Sequence, residues 1–184
     1  MLAGKTKIEG DRRMKNVFGA LIAAAIVIVV AAPVQAADMD FQAKVKKSMS
    51  LLKETLNKLG APKLEGTSEV AGKTVPSIYF GSVKINGNYD VVDEVKKEMD
   101  GTATVFVKAG DEYVRVSTNV LQDDGARAIG TQLAHNPAYK AINEGQAFYG
   151  QVEILGKPYD TGYEPIKDAS GKTIGIYYVG YKMR

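Results

Sequence analysis

The sequence predicts a single α+β domain, with a central antiparallel sheet of about five to six strands and a long N-terminal helix. Three observations support this fold class. Early apolar residues recur at helical spacing, and the last strands are separated only by short turns. The pattern also lacks the strand–helix–strand alternation of a parallel sheet. The length of 184 residues fits one domain.

Residues 1–36 have the layout of a secretory signal peptide, with Met14 as a candidate true start. Lys15 precedes an apolar run over 17–32, which ends in the small-residue motif "PVQA". This pattern predicts cleavage between Ala36 and Ala37, and a periplasmic or secreted protein. An uncleaved N-terminal membrane anchor is the alternative, although the apolar run is short for a full span.

Residues 37–66 are predicted to form a helix and the start of a loop. Asp38 or Asp40 is placed to cap a helix that ends near Leu59, before Gly60. The helix carries one apolar stripe: Phe41, Val45, Met49, Leu52, Leu56 and Leu59. The stripe predicts packing against the domain, with a homodimer through this helix as the alternative. Residues 61–74 are predicted to be a loop.

Residues 67–184 are predicted to hold the sheet. "TVPSIYFGSVKI" reads as a strand, and "DVVDEVKKEM" as a short helix capped by Asp90. "TATVFVK" and "EYVRVSTNV" form a hairpin, followed by a polar loop and a small helix beginning near Pro137. The strands "QAFYGQVEIL", "PYDTGYEPI" and "KTIGIYYVGYK" complete the chain.

Composition argues against several function classes. The sequence has 24 basic and 21 acidic residues, and the first 36 residues hold five of the basic and two of the acidic ones. The rest of the chain is therefore electrically neutral and has no basic surface expected for nucleic-acid binding. There is no cysteine, and His135 is the only histidine. The residues needed for a nucleophilic catalytic triad or for a typical zinc-binding site are therefore missing from the sequence. We expect no enzyme activity, no cofactor and no metal.

The stretch "DEYVRVSTNV" suggests an anion site. Strand alternation puts Arg115, Ser117 and Asn119 on one face and Thr118 on the other. Arginine offers a planar fork for a carboxylate, and the neighbouring side chains offer further hydrogen bonds. Downstream strands add the hydroxyls of three tyrosines, Tyr149, Tyr159 and Tyr163. A solvated outer face is the alternative interpretation.

From about residue 67 to the end, the chain resembles a single Cache domain of the Cache 3/Cache 2 type. These PAS-like extracytoplasmic sensor modules occur in bacterial chemoreceptors and histidine kinases. The resemblance rests on "RVSTN" and on the closing "YEPIKDASGKTIGIYYVG". "RVSTN" is similar to the Arg-x-x-His element that binds a ligand carboxylate in citrate- and dicarboxylate-sensing kinases. Here Thr118 stands at the histidine position, which suits a smaller acid.

The resemblance implies a sensory module that binds a small organic anion. The implied ligand-binding residues are Arg115, Ser117, Thr118, Asn119, Tyr149, Tyr159 and Tyr163. Because no output domain follows the last strand in this sequence, we expect a separate membrane receptor or sensor kinase as partner. The alternative function is a ligand-free structural or protein-interaction domain of the same fold.

Overall fold

The computed structural model describes residues 33–183, which belong to one compact unit. The predicted leader lies outside this part of the chain except for residues 33–36, and the expected cleavage point falls within the first helix. Helices and strands occur in the following order: α1 (Pro33–Leu59), β1 (Pro62–Val70), β2 (Lys73–Phe80), β3 (Val83–Lys84), α2 (Asp90–Met99), β4 (Thr102–Ala109), β5 (Glu112–Thr118), α3 (Pro137–Asn143), β6 (Phe148–Ile154), β7 (Lys157–Lys167) and β8 (Thr173–Lys182). None of the helices over 33–183 combines the length and apolarity needed to cross a membrane.

Five strands form the main sheet, in the order β5-β4-β8-β7-β6, and every neighbouring pair is antiparallel. The predicted α+β fold class and the central antiparallel sheet are confirmed. The β4–β5 hairpin turns at Gly110, and the β6–β7 hairpin at Leu155 and Gly156, all three with positive φ. These short turns fix the antiparallel pairing that the sequence pattern indicated.

Helix α1 packs its apolar stripe onto the main sheet. Val45, Met49, Leu52 and Leu56 are fully or almost fully buried in the larger core cluster, with Phe41 and Leu59 packed at its margin. The prediction that this stripe packs against the domain is therefore confirmed. Since its four central residues are covered within the chain, the stripe leaves little apolar surface for a dimer seam.

The loop predicted over 61–74 is wrong, because β1 and β2 form a hairpin there. Ala71 and Gly72, with φ of 48° and 75°, make its turn. Most side chains of β1 are exposed, so the strand lacks the alternation that reveals a half-buried strand. The single strand predicted from "TVPSIYFGSVKI" is also divided at Gly81 into β2 and β3, and both belong to a separate three-stranded sheet.

The two short helices have different N-terminal caps. In α3, the side chain of Asn136 accepts hydrogen bonds from the backbone N–H groups of Ala138 and Tyr139. In α2, the prediction that Asp90 is the cap is wrong, because Asp90 is the first helical residue and Tyr89 precedes it. The Asn88 side chain instead accepts a hydrogen bond from the Asp90 backbone N–H.

The main sheet has two covered faces, which we call the α1 face and the α3 face. On the α1 face, residues such as Val105 and Val179 join the core cluster that contains α1 and α2. On the α3 face, Phe106, Tyr163 and Tyr178 join a second cluster that contains α3 and the segment after β5. A side chain on β4, β5, β7 or β8 therefore reaches one of two different environments.

Candidate ligand-binding site

A β-bulge at Val116 changes which side chains of β5 share a face. Ser117 lies opposite Val105 and Arg115 lies opposite Phe106, so Val116 is an extra residue with no partner across the pair. Val116 and Ser117 consequently both point to the α1 face. The expectation that Arg115 and Ser117 share a face is wrong, and the bulge is the physical reason. Arg115 and Thr118 are brought to the α3 face together.

Arg115 is buried on the α3 face, with 4% of its surface exposed. Its Nη1 donates a hydrogen bond of 2.7 Å to Thr131 Oγ1, and its guanidinium lies 4.8 Å from the centre of the Phe106 ring. Its Nε is buried and has no hydrogen-bond acceptor. Arg115 also makes no ion pair within residues 33–183. A buried cation with an unused donor is costly unless an anion joins it.

The surroundings of Arg115 are neutral at physiological pH. Burial lowers the pKa of the Arg115 guanidinium, and the hydroxyls of Tyr163 and Tyr178 partly oppose that shift. Burial also raises the pKa of both tyrosines, so their hydroxyls remain protonated. The site therefore presents one cation beside neutral hydroxyl groups.

Polar groups continue from Arg115 along the α3 face. Thr118 Oγ1 lies 2.6 Å from Thr104 Oγ1, and Tyr178 Oη lies 3.0 Å from Thr102 Oγ1. The ring centres of Tyr163 and Tyr178 are 4.9 Å apart. Tyr159 belongs to the same buried cluster. Of the predicted site residues, the structure brings four to this face: Arg115, Thr118, Tyr159 and Tyr163.

The other three predicted residues are engaged on the α1 face. Ser117 Oγ donates a 2.6 Å hydrogen bond to the backbone carbonyl of Asn88. The Asn119 side chain accepts from the Ala103 N–H at 2.7 Å and donates to the Val92 carbonyl, which ties β4 to α2. Tyr149 Oη donates a 2.5 Å hydrogen bond to Glu164 Oε1. These side chains satisfy structural hydrogen bonds away from Arg115.

Sequence reasoning missed five residues of the site: Thr102, Thr104, Phe106, Thr131 and Tyr178. Phe106 and Tyr178 stand at alternating positions of predicted strands, so their face could have been assigned once the strand pairing was known. Thr131 lies in an irregular segment, where its hydroxyl donates to the Ala128 carbonyl while accepting from Arg115. No local pattern in the sequence identifies such a residue.

A surface cavity of about 430 Å³ opens on the other side of the sheet, between α1 and β7. Glu164 lies at this cavity, and its two carboxylate oxygens accept 2.5 Å hydrogen bonds from Lys53 and Tyr149. Burial alone would raise the pKa of Glu164, but these hydrogen bonds outweigh it and leave the pKa lowered. Because the half-buried carboxylate of Glu164 already has hydrogen-bond partners, we place the candidate ligand site at Arg115 and not in this cavity.

No group of three or more histidine, cysteine, aspartate or glutamate side chains is arranged to hold a metal within the described residues. His135 is exposed, lies 3.0 Å from Glu112 through its Nε2, and stacks on Tyr139. The arrangement on the α3 face is suited to holding an anion by hydrogen bonds from a buried cation and neutral hydroxyls.

Comparison with known protein families agrees with this architecture. The protein-family model described as the Cache 3/Cache 2 fusion domain matches residues 22–184 of the chain. The family resemblance inferred from the sequence is thereby confirmed. No curated protein matches the chain.

Proposed function

The chain belongs to the Cache 3/Cache 2 fusion-domain family, and on this premise we propose that it binds a small organic acid through Arg115 as an exported sensory module. Cache domains are extracytoplasmic sensor modules and not catalysts, which supports a sensory role.

The buried guanidinium of Arg115 carries the proposal. Its Nε is an unused donor, and no carboxylate of the described chain pairs with the charge. Leaving a buried donor unsatisfied costs about 1–3 kcal/mol, and more for a charged group. A ligand carboxylate would accept hydrogen bonds from Nε and a terminal nitrogen together, which is the arrangement that arginine favours. Ligand binding would thus relieve a cost that the empty protein bears.

The charges around the site favour a monocarboxylate. Arg115 is the only buried lysine or arginine among the described residues. A second carboxylate on the ligand would therefore enter an apolar environment without a counter-charge. The ammonium group of an amino acid would equally lack an acid partner. The hydroxyl of Tyr163 is available for a keto or hydroxy oxygen on the ligand, whereas those of Thr118 and Tyr178 already hydrogen-bond to neighbouring groups of the α3 face.

We further propose that the leader directs the domain to the periplasm or the cell exterior. There it would act with a membrane receptor or sensor kinase, as Cache sensor domains in general do. In the alternative function, a ligand-free interaction domain, Arg115 binds no ligand. The two functions therefore differ in whether a ligand binds at Arg115.

A thermal-shift screen against small mono- and dicarboxylates tests the proposal. A ligand that binds only the folded state raises the melting temperature by mass action. We expect a shift with one or more monocarboxylates, its loss in Arg115→Met, and its retention in Arg127→Met. Arg127 is the matched control because it is satisfied by a two-point ion pair with Asp93, at 2.7 and 2.8 Å. A shift that survives in Arg115→Met would contradict the proposed site, and a flat screen would favour the interaction domain.

A further inference from the structure

The outer edge of β6 differs from the edges at β5 and β1. At the opposite edge of the main sheet, β5 is covered: the backbone groups of Arg115 bond to Gly130 and Thr131, and Leu133 bonds to Tyr113, each at 2.9 Å. In the smaller sheet, β1 begins with a proline and is interrupted by a bulge between Leu64 and Thr67. Covering, prolines and bulges are the usual protections of an edge strand.

Strand β6 has none of these protections. Within residues 33–183 it pairs only with β7, through an unbroken register from Phe148 opposite Tyr163 to Ile154 opposite Lys157. Its sequence, "FYGQVEI", contains no proline or lysine and a single charged residue, Glu153. An unbroken seven-residue edge of this kind presents free backbone donors and acceptors to another strand.

The side chains of β6 are complementary to a second copy of the same strand. In an antiparallel pair centred on Gln151, Phe148 lies opposite Ile154 and Gly150 opposite Val152. Phe148, Val152 and Ile154 all belong to or pack on the α3-face cluster, so the apolar contacts would fall on one side of the joined sheet. On the other side, Tyr149 would lie opposite Glu153. The two Glu153 carboxylates would be about 13 Å apart along the strands, so no like charges would meet.

We propose that β6 is a homodimer interface, in which two copies of this chain join their main sheets edge to edge around a two-fold axis at Gln151. The interaction is isologous, since each β6 contributes the same residues to both halves. It is independent of the ligand site, because Arg115 lies on the opposite edge strand of the sheet. It also differs from a dimer through α1, whose apolar stripe is buried within the chain.

Disulfide trapping in the full chain tests the interface directly, because the sequence contains no cysteine. Directly opposed residues of an antiparallel pair have Cβ atoms about 4.5–5.5 Å apart, close to the span of a disulfide. Mild oxidation should convert Gln151→Cys into a covalent dimer. The control is Gln122→Cys, whose side chain is also exposed but lies in the segment after β5. Association through the leader would give equal yields of disulfide-linked dimer for both variants, and that outcome would contradict the proposal.

A charge exchange at the two-fold axis provides the second measurement. Gln151→Lys and Gln151→Glu each place like charges directly opposite one another, so each variant alone should sediment as a monomer. An equimolar mixture should recover the dimer, because lysine then faces glutamate. The exposed Gln151 side chain has no hydrogen-bond partner to lose in the described chain, so both variants should fold. A wild-type chain that stays monomeric, or variants that dimerise as well alone as in the mixture, would overturn the proposal.

Discussion

Replacing Arg115 with methionine should stabilise the ligand-free protein while abolishing its response to ligand. Methionine matches the length of the arginine stem and adapts to an irregular apolar space. In the empty protein Arg115 is 4% exposed, its Nε has no acceptor and no acid pairs with it. The substitution removes the buried charge together with the unsatisfied donor.

Opposing contributions set the size of this effect. Removal of a buried guanidinium that has one unsatisfied donor and no counter-ion regains several kcal/mol. Against this, the variant loses the charged hydrogen bond to Thr131, worth about 1.5–3 kcal/mol, and the contact with the Phe106 ring, worth up to about 2 kcal/mol. The charge is the deciding contribution because no counter-ion offsets it. We expect a net gain of about 1 kcal/mol, or about 2–4 °C in melting temperature.

Urea denaturation of ligand-free wild type and Arg115→Met measures this difference. With a bound acid at about one hundred times its dissociation constant, wild type should gain about 2.7 kcal/mol and overtake the variant. Arg127→Met should show the opposite pattern, a loss of stability with the ligand response intact. A loss of several kcal/mol in ligand-free Arg115→Met would refute the reasoning, because Arg115 would then be a structural residue.

Three further predictions follow from the contacts. Tyr163→Phe should weaken acid binding about tenfold by removing one hydrogen bond, whereas Tyr149→Phe, on the α1 face, should leave calorimetric affinity unchanged; equal losses would contradict the assignment of faces. The lowered pKa of Glu164 adds stability that is complete above its ordinary value of 4.5 and is lost as the pH falls through the folded-state value. The stability advantage of wild type over Glu164→Gln in urea should therefore be larger at about pH 6 than at about pH 3, and equal advantages at the two pH values would contradict the role of its hydrogen bonds. Leu52→Ala should cost about 2–5 kcal/mol in the same assay because Leu52 is fully buried, and a cost below about 1 kcal/mol would contradict the packing of α1.

The sequence was sufficient wherever local patterns carry the structure. The stripe that includes Val45 and Leu52 identified α1, and the short turns at Gly110 and Gly156 identified antiparallel hairpins. It also singled out Arg115, which the structure buries on the α3 face. Each of these features depends on residues close together in the chain.

The assignment of faces could not be predicted, because it depends on pairing between strands. The bulge at Val116 is visible only when β5 is aligned with β4, and it reverses the expected face of Ser117 relative to Arg115. Strand β1 was missed for a related reason: its side chains are mostly exposed, so pairing with β2 and not burial makes it a strand. Thr131 reaches Arg115 through a tertiary contact across an irregular segment.

The Nε–H signal of Arg115 in a nitrogen–proton correlation spectrum tests the central claim most directly. The signal is assigned as the one missing from Arg115→Met, and it is then followed while an acid that passes the thermal-shift screen is added. If the ligand carboxylate fills the unused donor, this signal should move downfield as it gains an acceptor, while the Arg127 signal stays in place. Saturable binding of the acid with an unchanged Arg115 signal would contradict the account.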